Sequence, residues 1–300
     1  MSNDFDLSNL NFQGWVNDPA EVDRIKLEFG VLNASQCIQA IQSADKPQKV
    51  SFIPYLEKAY GRVWYRSQGQ CGSCVANGAA TAVDVLAAID HVENGAELPK
   101  QSSVEPIYWG SRVEIGKGRL GRSQGSVGVW AAQWLQQYGS LEMRDYGSVN
   151  LTTYIPSVCC GRNSTAGVPD DLEPIARRHP VKTYAQVSNF DDMTDAVASG
   201  YPVTIASNQG FTQQRDGDGF ARAHGTWQHQ MCIIGYRLDR RAALIANSWG
   251  EYFSGGDLCK ACFWAEESVV NRMLKQGDSW ALSNLDGWPR KKLDLSLLNY

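Results

Sequence analysis

Between Cys74 and Val92 small and branched apolar residues recur at helical spacing, at Ala76, Ala79, Ala80, Val83, Leu86 and Ala87, and Asn94 and Gly95 supply the stop. A helix faced with alanine lets its neighbours approach closely, so it belongs at the centre of a fold, and the rest of the chain has to be arranged around it. The material suffices: 300 residues, 43% hydrophobic and 20% charged, can form two lobes over a buried core. A second helix is expected over Ser126–Tyr138, ended by Gly139, with Trp130 and Trp134 four apart on its packing side. After Tyr154 short β-branched runs replace the helical patterns. Asp191–Ser199 reads as a helix stopped by Gly200, and Tyr201–Ile205 as the strand that follows, placed at a sheet edge by Pro202. Gln230–Leu238 and Ala242–Ala246 flank the turn Asp239–Arg241 as a β-hairpin, and Leu258–Ala265 alternates as a further strand. Residues 1–48 are polar, with two short helical stretches at Glu21–Phe29 and Ala34–Ile41, and read as an extension. Helices first and strands later describe an α+β chain whose halves meet near 150–155, at a junction suited to a cleft.

Several function classes fall away on charge and composition. With 28 Lys and Arg against 32 Asp and Glu, and no basic block, the chain lacks the surface that binds nucleic acid. Its most apolar stretch, Val75–Ile89, is interrupted by Asn77 and Asp84 and is too short to span a membrane. The opening residues lack a basic region followed by an apolar one, which gives the expectation of a cytoplasmic or otherwise non-exported protein. Eight cysteines are too few for a disulfide scaffold and suit selected thiols. Asp216–Gly219 lacks the remaining ligands of a calcium loop and reads as a turn. Cys259 and Cys262, three apart on an expected strand, would face opposite sides, so no metal site and no cofactor are expected.

The densest chemical signal is QGQCGSC over Gln68–Cys74, immediately before the alanine-faced helix. A cysteine there faces unpaired backbone N–H groups and the positive end of the helix dipole, which lower a thiol pKa of about 8.5. Of the four histidines, His91 lies at the far end of that helix and His179 in a polar loop, leaving His224 and His229. His229 opens the hairpin strand, and the return strand brings Asn247 to the same end, so base and orienting group arrive together.

These residues resemble the papain-like cysteine peptidases. The matching blocks are Cys71-Gly72-Ser73-Cys74, His229–Tyr236 as the histidine strand, Asn247–Gly250 as N-S-W-G, and Gly200–Ile205 as a G-x-P-V strand, in the right order over about 49–265. The resemblance implies a papain-like two-lobe fold, with a helical lobe over 49–154, a β-barrel-like lobe over 155–290, a cleft between them and a tail over 291–300. It implies an endopeptidase acting on protein or peptide, with Cys74 as nucleophile, His229 as base and then acid, Asn247 orienting the ring, Gln68 in the oxyanion hole and Trp249 covering the Asn247–His229 hydrogen bond. Gly72, Ser73, Gly125, Ser126 and Gln228 are expected to bind substrate, with Trp227 beside Gln228 in the wall.

Departures keep two alternatives open: a binding or assembly protein without turnover, and an acyl transferase or transamidase using the same groups. Val75 stands where the family has Trp or Tyr, and Ser126 where it has a second glycine. Ser123 stands where a cysteine pairs with the one corresponding to Cys71, so Cys71 is expected to be unpaired, which points to a reducing compartment. Residues 1–48 are shorter than the family's inhibitory pro-segment; they or the tail are expected to cover the cleft or wrap the back of the lobes.

Overall fold

The alanine-faced helix runs Cys74–Asn94, and Gly95 ends it in the left-handed conformation at φ 65°. In this computed structural model, which describes residues 13–179, 181–294, 296 and 297, it is the element on which both halves pack. Its small face has a reason: a Cβ added at Gly78 would sit 3.1 Å from the Met231 carbonyl oxygen, so a larger residue there would push the helix away from the strand carrying His229. The first twelve residues of the expected extension, and Leu295 and 298–300 of the tail, lie outside the described residues.

One antiparallel sheet holds the second half. Its strands are β1 (Lys49–Ser51), β2 (Thr183–Gln186), β3 (Val203–Arg215), β4 (Ala221–Arg237), β5 (Ala242–Ala246), β6 (Cys262–Glu266) and β7 (Ser279–Ser283). They run in the order β2-β7-β3-β4-β5-β6, with β1 also pairing with β4; the sheet is open at β2 and β6 rather than closed into a barrel. The expected hairpin is present, with Cys232 opposite Ala246, and Asp216–Gly219 is the turn between β3 and β4, where the Asp216 carboxylate accepts the N–H groups of Asp218 and Phe220.

Four sequence expectations need correction. The strand after Gly200 is central, with β7 on one side and β4 on the other. Pro202 precedes it and only accepts, its carbonyl taking the Leu282 N–H at 3.1 Å, so its missing N–H leaves no ladder bond unmade. Second, the stretch after Tyr154 is not strand: it forms the helical turns Pro156–Cys159, Asn163–Ala166 and Glu173–Ala176, and β2 begins only at Thr183. This stretch packs on the first lobe, where the Trp109 indole N–H meets the Cys159 carbonyl (2.8 Å) and Arg112 Nε the Ser164 carbonyl (2.9 Å). Third, the strand expected from Leu258 starts at Cys262, with Cys259 in the turn before it, so the argument that those side chains face apart loses its premise.

Fourth, Cys71 is paired. It forms a disulfide with Cys160, 89 residues on, with Cα atoms 5.9 Å apart. The partner comes from the turn after Pro156–Cys159 instead of from position 123, so the thiol argument for a reducing compartment lapses. Closing so long a loop restricts the unfolded chain, and Cys160→Ser is expected to lower stability by about 2–4 kcal/mol. Urea denaturation checks this; equal midpoints for the two proteins would show that the bridge contributes nothing.

The helix expected over Ser126–Tyr138 spans Gly128–Gln137. Its first N–H groups, from Gly128 and Val129, are capped from the far lobe by the buried Asp278 carboxylate (2.6 and 2.8 Å). Trp130 and Trp134 are core residues, and Gly116 and Gly110 leave room for their indoles. The tail runs behind the cleft, with Lys291 Nζ 2.6 Å from Asp90 near the far end of the Cys74 helix. Among the described residues no helix is long and apolar enough to cross a membrane.

Candidate active site

Cys74 opens its helix beneath β4, and the Gln230 backbone N–H donates to its sulfur at 3.4 Å. The preceding strand residue, His229, is wholly buried, and its Nε2 lies 2.7 Å from Asn247 Oδ1. Asn247 arrives there because it directly follows β5, the strand returning along β4. The Ser248 N–H also donates to Oδ1 (2.7 Å), which identifies that atom as the amide oxygen. His229 Nε2 must therefore carry the ring proton and donate it, leaving Nδ1 as the basic nitrogen; among the described residues Nδ1 has no hydrogen-bond partner. Trp249 lies over the imidazole, ring centroids 4.5 Å apart, and Trp227 meets Trp249 edge-on at 4.6 Å. These indoles keep water from the Asn247–His229 bond.

Gln68 ties the two motifs together. Its backbone N–H donates to the Ser248 carbonyl (2.8 Å), its Oε1 accepts the Ser248 hydroxyl (2.6 Å), and its Nε2 donates to the Cys71 carbonyl (3.1 Å). The side-chain amide is thereby fixed with its N–H₂ end toward the cysteine loop.

The residues expected to bind substrate already hold a peptide, and it is the chain's own. Gly14 and Trp15 donate their N–H groups to the Gln228 carbonyl (2.8 and 2.9 Å), the Ser126 N–H donates to the Gly14 carbonyl (2.9 Å), and the Val16 N–H donates to the Ser126 carbonyl (2.9 Å). A Cβ at Gly14 would stand 2.8 Å from Cys74 Sγ and 2.6 Å from the Gly72 oxygen, so only glycine can pass over the sulfur here. Gly125, at φ 105°, leaves room in the same way for the Gly14 carbonyl. Trp15 fills a buried pocket and donates its indole N–H to Asp278 (2.8 Å). The following helix, Pro19–Phe29, is pinned by Glu21, which accepts the Trp130 indole N–H at 2.9 Å. Burial works to raise the Glu21 pKa, but Arg24, Trp130 and Arg119 outweigh it and hold the carboxylate below its ordinary value. Ser73 is placed elsewhere: its hydroxyl turns inward to Tyr154 (2.8 Å) and Asn77 (3.0 Å), so it braces the loop and does not face the cleft.

The cover reverses the electrostatics expected from sequence. Burial pushes the Cys74 thiol up to about 12 although the N–H groups of Gln230, Val75 and Cys74 itself oppose the shift. Burial also pushes His229 down to about 4, against the Asn247 hydrogen bond. With water excluded, desolvation outweighs the helix terminus, and the closed site holds a thiol and a neutral imidazole. A stability consequence follows. Between His229's ordinary 6.5 and about 4 the unfolded chain binds the proton that the folded chain refuses, so this group's contribution is lost as pH falls through that window. The melting temperature of the full chain is expected to drop across it more steeply than that of His229→Gln; parallel curves would refute the assignment.

Three supporting residues escaped the sequence reading. Arg112, buried, donates to the carbonyls of Gly121, Ser123 and Gly125 and so shapes the loop that meets Gly14. Gln124 Oε1 accepts the Gly72 N–H (2.7 Å), and Asp278 floors the Trp15 pocket. No local pattern marks them: Gln124 and Asp278 act on residues 52 and 263 positions away, and Arg112 on a loop 9–13 positions on. Among the described residues no group of three or more His, Cys, Asp or Glu is placed to hold a metal ion.

The model of the papain family of cysteine proteases matches residues 59–257, two thirds of the chain. Among solved structures, the fold is similar to xylellain, a cysteine protease from Xylella fastidiosa, with a TM-score of 0.63 at 18% identity, covering 91% of this chain and 96% of that one. It is also similar to the proform of the ragweed pollen allergen Amb a 11, a cysteine protease, with a TM-score of 0.55 at 16% identity, covering 92% and 75% respectively. At these identities the likeness is one of fold. No curated protein matches the sequence.

Proposed function

This chain belongs to the papain family of cysteine proteases and is a cysteine-type peptidase, and from that premise we propose that it is a latent endopeptidase whose own residues 13–16 occupy the cleft. Once the segment leaves, water returns, the Cys74 proton passes to His229 Nδ1, and the thiolate attacks the scissile carbonyl. The Cys74 backbone N–H and Gln68 Nε2 stabilise the oxyanion. His229 then protonates the leaving amine and afterwards takes a proton from the water that releases the acyl group. One observation carries the reading: Nε2 is committed to Asn247 at 2.7 Å, which leaves the basic nitrogen for the reaction, on the residue next to the one bonded to sulfur.

The pocket filled by Trp15 is the natural seat for a substrate side chain. Its floor is the Asp278 carboxylate, which loses the indole donor when the segment leaves, so a side chain that brings an N–H, aromatic or basic, should be preferred. The test compares the full chain with one cleaved after residue 17, using a peptide library and iodoacetamide at pH 6. Cleavage products with aromatic or basic residues at one fixed position, and rapid alkylation of Cys74 in the cleaved form alone, are expected. Equal, slow alkylation of both forms would contradict latency.

A further inference from the structure

Arg215, close to the end of β3, is buried, and among the described residues no carboxylate pairs with it. Its guanidinium instead gathers one loop by its backbone: Nε donates to Gly255 O (2.9 Å), Nη2 to Leu258 O (3.0 Å), and Nη1 to both Cys259 O (2.9 Å) and Cys262 O (2.5 Å). Cys259 and Cys262 are the ends of a turn closed by the Cys262 N–H on the Cys259 carbonyl (2.9 Å). The ends of such a turn lie within about 7 Å of one another, which overlaps the span a disulfide bridges. Cys259 is partly exposed and Cys262 buried, and neither is in a disulfide. The two residues between them carry structure that matters: the Lys260 carbonyl accepts the Phe253 N–H and the Ala261 carbonyl accepts the Asn247 N–H, both at 2.8 Å.

We propose that Cys259 and Cys262 are a reversible dithiol–disulfide site, with Cys259 the entry thiol and Cys262 the resolving one, whose oxidation staples the turn that pins the backbone of Asn247. The buried cation beside the pair supplies what a reactive thiol needs, since it favours a sulfur anion where no carboxylate competes for it. The neighbouring Cys262 side chain, with the Ala261 N–H and Arg215, holds the Cys259 thiol below its ordinary value against burial and the Glu57 carboxylate, while burial pushes Cys262 up. The oxidant is a small-molecule disulfide such as oxidised glutathione. Cys259 thiolate attacks one of its sulfurs, that S–S bond breaks, and one glutathione leaves as thiolate, giving a mixed disulfide on Cys259. Cys262 sulfur then attacks Cys259 Sγ, its proton goes to the second departing glutathione, and the protein S–S bond forms. Two protein thiols and one disulfide thus become one protein disulfide and two thiols.

The inference does not rest on the peptidase reading, because its test reads mass alone. The full, folded chain is equilibrated with graded mixtures of reduced and oxidised glutathione, quenched by alkylation and digested with trypsin, which cuts between Lys260 and Ala261. The expected product is a pair of peptides joined through Cys259 and Cys262, two hydrogens lighter than the dithiol, while Cys232 carries the alkyl label. In Cys262→Ser glutathione should remain on Cys259, and in Cys259→Ser no adduct should form at Cys262. Alkyl label on both cysteines even in excess oxidised glutathione, an adduct trapped on Cys262, or a stoichiometric zinc ion released when the pair is alkylated would each overturn the proposal. The wild-type map decides alone should a variant fail to fold.

Discussion

Cys74→Ala, made in the chain cleaved after residue 17, is expected to abolish peptide cleavage, with a loss of about four orders of magnitude or more. The size follows from what the sulfur does: without it no acyl-enzyme forms, and the fixed amide of Gln68 and the helix terminus are left to polarise a carbonyl that nothing attacks. Gln68→Ala removes one oxyanion donor and should cost about a hundredfold in kcat. Because Ser248 and Cys71 hold the Gln68 side chain, loss of packing has to be separated from loss of chemistry. The kcat of Gln68→Ala is therefore compared at equal folded fraction, with its melting temperature measured beside it; a drop in melting temperature with kcat unchanged would assign Gln68 to packing alone. Cleavage that survives in Cys74→Ala at the parent rate would leave the nucleophile unassigned.

The parts of this site that were legible in the sequence share one property: their partners are fixed by local chain geometry. Cys74 was legible because a helix start follows from the alanine periodicity around it. Asn247 was legible because a hairpin returns a chain to where it began, and β4 and β5 pair Cys232 with Ala246, just short of the two functional residues. The same locality gave the turn at Asp216–Gly219 and the helix stops at Gly95 and Gly200.

What escaped was set by contacts between distant segments. The Gly128 helix has no local cap; Asp278, from the other lobe, supplies it, and nothing near either residue announces the pairing. Cys160 reaches Cys71 only because Arg112 and Trp109 hold the segment after Tyr154 against the first lobe. The ionisation of Cys74 failed for a related reason. Sequence shows the N–H groups and the dipole that lower a thiol pKa, but the water that decides the balance is removed by Gly14 and Trp15, some sixty residues upstream. An expectation built on neighbours therefore describes the open site, and the fold describes the closed one.

That distinction makes Trp15→Ala the most informative change in the full chain, where it is expected to raise peptidase activity about a hundredfold. Trp15 is 3% exposed with its indole N–H on Asp278, while Gly14 adds backbone hydrogen bonds that water or a substrate could replace and Val16 is only partly buried. Emptying a buried tryptophan site costs about 3–5 kcal/mol. When the segment has left the cleft its side chain is in water either way, so the cost falls on the closed form and shifts the closed–open balance by nearly that amount. Even the lower figure gives about two decades in the open population, at about 1.4 kcal/mol per decade. The helix Pro19–Phe29 should stay docked through Glu21 and Trp130, so the segment opens as a flap without the whole extension unfolding. A matching rise is expected in the rate at which Cys74 is alkylated at pH 6, because the returning water lets the thiolate form. If Trp15→Ala lowers the melting temperature but leaves both rates where they were, the segment is a structural belt and the proposed latency fails.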